Sequence, residues 1–237
     1  VSAARAFAKA EQPAPLLFEA IAAEAARRDL RAFKPQELSN TAWAFAKAEQ
    51  PAPALFLAVA EEASRRDLRE FKAQELANAA WAFAKAEQPA PALFEAVAEE
   101  LVRRGLGAFT PQNLANTVWA FATAEQPVPP LFEAVAEEAT RRGLGDFKPQ
   151  ELANTAWAFA TVGHAPPRLF DALSAEVVRR FESFPPQELA NTAWAFAVVN
   201  RPSEALCGEA IVRRIEARPP VNAPGPQVGA ARTTRPH

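Results

Sequence analysis

The chain's five tryptophans, Trp43, Trp81, Trp119, Trp157 and Trp194, stand 38, 38, 38 and 37 residues apart. Asn40, Asn78, Asn116, Asn154 and Asn191 precede them by three residues, and Gln36, Gln74, Gln112, Gln150 and Gln187 by seven. "ELANTAWAFA" occurs unchanged at 151–160 and 188–197, with close variants at 37–46, 75–84 and 113–122. A period of this length marks an array of supersecondary units, each needing a neighbour to bury its apolar side. The dyads Arg27-Arg28, Arg65-Arg66, Arg103-Arg104, Arg141-Arg142 and Arg179-Arg180 recur every 38 residues. One residue is lost just after the last dyad, where "RRGLGDF" becomes "RRFESF", so that connection is read as a loop.

Each unit divides into two helices. Pro35 suits a first helical position, where the missing N–H costs nothing. Glu37 follows at the N-terminus, which favours a carboxylate. The first helix is expected over 35–48, ended by "EQPAP", because proline cannot continue it. The second starts at Pro53 and ends near Arg66. The same reading places first helices at 73–86, 111–124, 149–162 and 186–199, and second helices at 15–28, 91–104, 129–142, 167–180 and 203–217. "VSAARAFAKA" reads as a truncated first helix. The expected fold is all-α: an α-solenoid of about six antiparallel helix pairs over 1–218, the turns within pairs being short. Residues 219–237, rich in Pro, Gly and small residues, are expected to be a disordered tail. The opening valine, falling inside a repeat, suggests a fragment or excised domain.

Hydrophobic residues make up 49% of the sequence, which places it among globular chains. Alanine dominates that class; it is the best helix former and lets helices approach closely. The net charge is −2, so any grip on nucleic acid must be local to one face rather than spread over a basic surface. A single cysteine, Cys207, excludes an internal disulfide framework and is expected in the core of the last helix. No run of 18 apolar residues is present, so no transmembrane helix and no membrane partner are expected. His164 and His237 are the only histidines, each beside prolines, and His164 is read as a solvated turn residue. No nucleophile–base pair or metal-ligand cluster can be built from recurring residues. The chain is therefore read as a non-enzyme without cofactor, metal or small-molecule substrate.

At 100° per residue, Leu38, Ala42, Phe45 and Ala46 share the core side of the first helix. Gln36, Asn40 and Lys47 share the other side, with Trp43 at the border. Copies of this stripe are Gln74, Asn78, Trp81, Lys85; Gln112, Asn116, Trp119, Thr123; Gln150, Asn154, Trp157, Thr161; and Gln187, Asn191, Trp194, Val198. Stacked units would set these side by side as a ladder. Two roles stay open for the asparagines: a buried amide pinning adjacent units in register, or an amide offered to a ligand. The tryptophans are read chiefly as inter-unit packing, with base stacking as the alternative. Position 47 varies (Lys47, Lys85, Thr123, Thr161, Val198), as does position 41 (Thr41, Ala79, Thr117, Thr155, Thr192), as a unit-by-unit reader would require. The second helix buries Leu55, Phe56, Val59 and Ala63. Its Glu61–Arg65 and Glu62–Arg66 spacings give the arginine dyads an ordinary helix-stabilising role.

The motif F-x-P-Q-E-L-A-N-T-A-W-A-F-A, with the 38-residue period and paired helices, resembles the octatricopeptide repeats and the related arrays that accompany RAP domains. That resemblance implies an α-solenoid binding single-stranded RNA in a chloroplast or mitochondrion, in transcript processing, stability or translation. The Gln, Asn and Lys/Thr positions of the stripe would then contact RNA, with Lys9, Lys47 and Lys85 as a basic edge. The alternative partner is an extended peptide or protein, held as in armadillo arrays.

Overall fold

A computed structural model describes residues 2–10, 14–27 and 30–201, with Gly208, Val212 and Glu216 beyond them. Arg28, the expected helix at 203–217 with Cys207, and the tail at 219–237 otherwise lie outside the described residues. The described chain contains eleven α-helices and no strand. Odd-numbered helices are the first helices of the units: α1 (Ser2–Lys9), α3 (Pro35–Lys47), α5 (Ala73–Lys85), α7 (Pro111–Thr123), α9 (Pro149–Thr161) and α11 (Pro186–Val198). Even-numbered helices are the second: α2 (Pro15–Arg27), α4 (Pro53–Arg65), α6 (Pro91–Arg104), α8 (Pro129–Arg142) and α10 (Pro167–Arg180). The solenoid of helix pairs is as expected, and each boundary falls within a residue of its sequence position.

The start of each odd helix is set by local chemistry. Lys34 N–H donates to Glu37 Oε2 at 2.8 Å, and Lys72 to Glu75 and Lys148 to Glu151 at the same distance. In α7, Thr110 and Asn113 exchange reciprocal bonds of 3.2 Å. These side chains satisfy N–H groups that a helix start leaves without partners. The far ends close in a Schellman turn: Gln50 N–H reaches Phe45 O at 3.0 Å, with Glu49 at φ 52°. Glu87, Glu125 and Asn200 repeat that left-handed conformation, and Gly163 takes it in the remaining unit.

Two layers result. Odd helices pack on odd neighbours far more extensively than even helices pack on even ones. Alanine makes the close approach feasible: Ala44, Ala77, Ala80, Ala82, Ala115 and Ala120 are all but sealed. The ends of the array show which residues form each step. In α11 Ala190, Ala193 and Ala197 are more open than their copies Ala153, Ala156 and Ala160, which α11 covers. In α1 Phe7 is 40% exposed, whereas its copy Phe45 is buried against α2.

The layers are joined by five edge-to-face phenylalanine pairs: Phe18–Phe45, Phe56–Phe83, Phe94–Phe121, Phe132–Phe159 and Phe170–Phe196, with centroids 5.0–5.2 Å apart. Each pair links an even helix to the odd helix of the next unit and contributes about 0.5–1.5 kcal/mol beyond area burial.

The second arginine of each dyad does more than stabilise its own helix. Arg66 donates to Phe33 O at 2.6 Å and Leu30 O at 2.9 Å, in the preceding inter-unit connection. Arg104 repeats this with Phe71 O and Leu68 O at 2.8 and 3.0 Å, and Arg142 with Phe109 O at 2.6 Å. Arg180 reaches Phe147 O at 2.7 Å and Gly145 O at 3.2 Å. Glu62, Glu100 and Glu138 hold the first three guanidiniums through Nε. The ordinary i,i+4 pairs read from the sequence are present, with Arg65–Glu61 at 3.6 Å and Arg66–Glu62 at 2.6 Å. The reading was incomplete, because helical spacing is blind to a partner some 33 residues away.

Candidate ligand-binding face

An odd helix in the middle of the array is flanked by odd helices on two sides and backed by even helices on a third. One stripe is left open, and it is the stripe expected from the sequence. In α7 only Pro111, Gln112, Asn116, Trp119 and Thr123 are not buried. The glutamines Gln36, Gln74, Gln112, Gln150 and Gln187 are exposed, and the five asparagines are half-buried. Trp43, Trp81, Trp119 and Trp157 are half-buried, and Trp194 is 38% exposed at the end of the array. Lys47, Thr161 and Val198 are exposed, while Lys85 and Thr123 are half-buried. Spacings of four, three and four put the members of one stripe on one helix face.

The open question about the asparagines has a geometric answer. Asn40, Asn78, Asn116, Asn154 and Asn191 make no side-chain hydrogen bond to another unit. The pin between units is the arginine clamp, and the amides stand half-open to solvent with their hydrogen-bonding capacity unspent. Trp43, Trp81 and Trp119 pack on one another in series, and all five tryptophans keep part of their surface exposed. Trp43–Trp81 and Trp81–Trp119 have centroids 6.4 and 6.3 Å apart, with planes tilted by 34° in both.

Position 41 does not belong to this face, which corrects the expectation that it varies with a ligand. Thr41, Thr117, Thr155 and Thr192 are buried against neighbouring odd helices. Each hydroxyl donates to the carbonyl four residues earlier, at 2.7–2.8 Å. Ala79 satisfies the same packing without a hydroxyl to place.

Sequence reasoning missed a row of carboxylates at the rim. Lys85 Nζ lies 2.9 Å from Glu49 Oε1 in the turn of the preceding unit. That hydrogen bond, with the lysine's charge, lowers the Glu49 pKa from its ordinary value. Glu87 and Glu125 occupy the same turn position, but Thr123 and Thr161 replace the lysine, and neither carboxylate is in an ion pair. The available signal was the glutamate two residues after Lys47, Lys85 and Thr123. His164, expected as a solvated turn residue, is half-buried, stacked on Phe159 and 3.0 Å from Glu133 of the preceding unit.

The family model described as "Protein of unknown function (DUF1601)" matches five segments: 14–41, 55–79, 93–118, 130–155 and 167–192. Together they make up more than half of the chain. Each runs from the second helix of one unit into the first helix of the next. No curated protein matches the chain.

Proposed function

We propose, starting from the chain's membership of the DUF1601 family of helical-repeat proteins, that it is a modular binder of single-stranded RNA. The open stripe of the odd helices would meet about one nucleotide per unit. The observation that carries this reading is the five-fold array of half-open asparagine amides, free of protein partners, each one turn from a part-exposed tryptophan. Helical repeats read unstacked bases with two or three side chains per unit. Amides can pair with base edges, and an indole face accepts a base irrespective of its identity. Gln36, Gln74, Gln112, Gln150 and Gln187 would extend the polar contacts. Lys47 and Lys85, with Lys9, would add positive charge at one end. The octatricopeptide resemblance extends the proposal to organellar transcripts in a chloroplast or mitochondrion, with binding rather than catalysis as the activity.

Fluorescence anisotropy with a mixed single-stranded RNA pool tests this. Binding at low salt that weakens with a slope of about −0.7 per phosphate neutralised supports it. No binding at low salt sinks it.

A second reading, an extended peptide held by the same amides, is favoured by charge. The net charge is −2, Lys85 is engaged by Glu49, and the Glu87 and Glu125 carboxylates are unpaired at the rim. An extended strand advances about 6.6–6.8 Å per two residues, close to the 6.3–6.4 Å tryptophan spacing. A random peptide library panned on the protein, with selected sequences competing against RNA, discriminates the two.

A further inference from the structure

The face is not uniform along the array; two changes coincide at the step from α7 to α9. The tryptophan series ends there: Trp43, Trp81 and Trp119 form consecutive tilted pairs, but Trp119 and Trp157 form none. One step earlier, position 47 changes from lysine in α3 and α5 to Thr123 in α7. Two side-chain polar atoms on this stretch of the stripe, Trp157 Nε1 and Thr123 Oγ1, are closed to solvent and have no hydrogen-bond partner. In the other units the tryptophan nitrogens are not in that condition.

Native chains rarely leave buried polar groups unpaired, because the lost hydration is not regained. Trp157 and Thr123 are themselves only half-buried, so rotation about the side-chain bonds brings the N–H and the hydroxyl to the open face. A ligand that accepts from them would relieve the deficit of the free state. Gln, Asn and Trp recur in every stripe and so cannot tell one unit from another; this step can.

We propose that Trp157 and Thr123 form a discriminating subsite, in which the indole N–H and the hydroxyl donate to the exocyclic carbonyl of one base in the bound RNA. This rests on the RNA reading above. Two donors on one atom need an acceptor with two lone pairs, which an exocyclic carbonyl oxygen has and an adenine ring nitrogen lacks, so the subsite favours uracil, guanine or cytosine over adenine at one position. Neighbouring units, which lack the unpaired donors, would stay tolerant.

The test is selection of a randomised single-stranded RNA pool on the wild-type chain, on Trp157→Phe, on Thr123→Val and on Asn78→Ala. Thr123→Val keeps shape while removing its donor, and Trp157→Phe keeps an aromatic ring, though a smaller one, while removing the indole N–H. The expected result is depletion of adenine at one position with the wild type. That depletion should be lost in Trp157→Phe and Thr123→Val, with affinity for the selected RNA about tenfold weaker for loss of a hydrogen bond. The thermal midpoint should stay level or rise for Thr123→Val and fall only slightly for Trp157→Phe, whose half-buried ring is smaller. Asn78→Ala should weaken binding while retaining the depletion. If the two donor variants select the same sequences as the wild type with unchanged affinity, the subsite is overturned and RNA binding stands. A large fall in thermal midpoint in both would make the donors structural and also overturn it. A wild-type chain that binds no RNA overturns both.

Discussion

Arg104 Nη1 donates to the carbonyl oxygen of Phe71, 33 residues earlier, at 2.8 Å. That bond ties the end of α6 to the connection entering the same repeat unit's odd helix, α5, and its copies recur along the array. Its energetic setting differs from that of its neighbour in the dyad. Arg104 keeps 20% of its side chain exposed and bonds both Glu100 and two carbonyls, whereas Arg103 is 57% exposed and bonds Glu100 alone. Hydrogen bonds involving a charged group contribute about 1.5–3 kcal/mol each, and removing one partner leaves the rest unsatisfied. Arg104→Ala is expected to lower unfolding stability by about 2–4 kcal/mol, while Arg103→Ala leaves it nearly unchanged. Urea denaturation of both variants checks the contrast.

Acid should loosen the array in a defined window. Hydrogen bonds from Arg141, and then Arg142, lower the Glu138 pKa from 4.5 to about 2. Glu100 and Glu176 shift in the same direction, led by Arg103 and Arg179. Below pH 4.5 the unfolded chain takes up these protons first, so stability rises with pH there. The contribution of Glu138 is complete above about pH 4.5 and lost as pH falls through about 2. Thermal midpoints measured from pH 6 to pH 2 should fall across that window, and Glu138→Gln should flatten part of the slope.

The left-handed turn residue offers a stabilising substitution. Glu87 sits at φ 52°, where a side chain strains the backbone and glycine does not. The chain already uses Gly163 at the equivalent turn, at φ 69°. Glu87→Gly is expected to raise stability by about 0.5–1 kcal/mol. Calorimetry reads this as a higher midpoint; a lower one would mean that the carboxylate has a structural partner.

Stability and binding should separate at Asn116. Its amide makes no hydrogen bond to protein, so Asn116→Ala should change stability by less than about 0.5 kcal/mol. Under the RNA reading it should weaken binding several-fold. Paired thermal and anisotropy measurements decide: loss of both would place the amide in the framework.

Removing one inter-layer phenylalanine tests how far the units act together. Phe121 is fully buried and meets Phe94 edge to face at 5.0 Å. Phe121→Ala should cost about 3–5 kcal/mol, the range for a large buried aromatic. Limited proteolysis should then cut first near α6 and α7 rather than uniformly.

Much of this architecture is legible in the sequence because its causes are local. Pro35 or Pro111 at a helix start, Glu37 or Glu151 three positions after the N-cap, and the proline-rich stop each act within one turn. Helical spacing alone also places Gln112, Asn116, Trp119 and Thr123 on one face. The 38-residue period announces stacking, because neither helix can bury its apolar side alone. What spacing along one helix cannot reveal is what lies across from each face. Thr41 and Asn40 are adjacent, yet Thr41 is sealed between odd helices and Asn40 is half-open. The sequence offered the asparagines as candidates for the pin between units and gave the arginines only an i,i+4 role within their own helix. Only the packed array decided it, since a guanidinium extends far enough to meet carbonyls some 33 residues away and the amides face the open side. The stretch "ELANTAWAFA" thus determined by itself the helix, its buried side and its open stripe. The tertiary structure decided which of its polar groups were already spent on the fold, because hydrogen bonds between units depend on distances that the sequence does not contain.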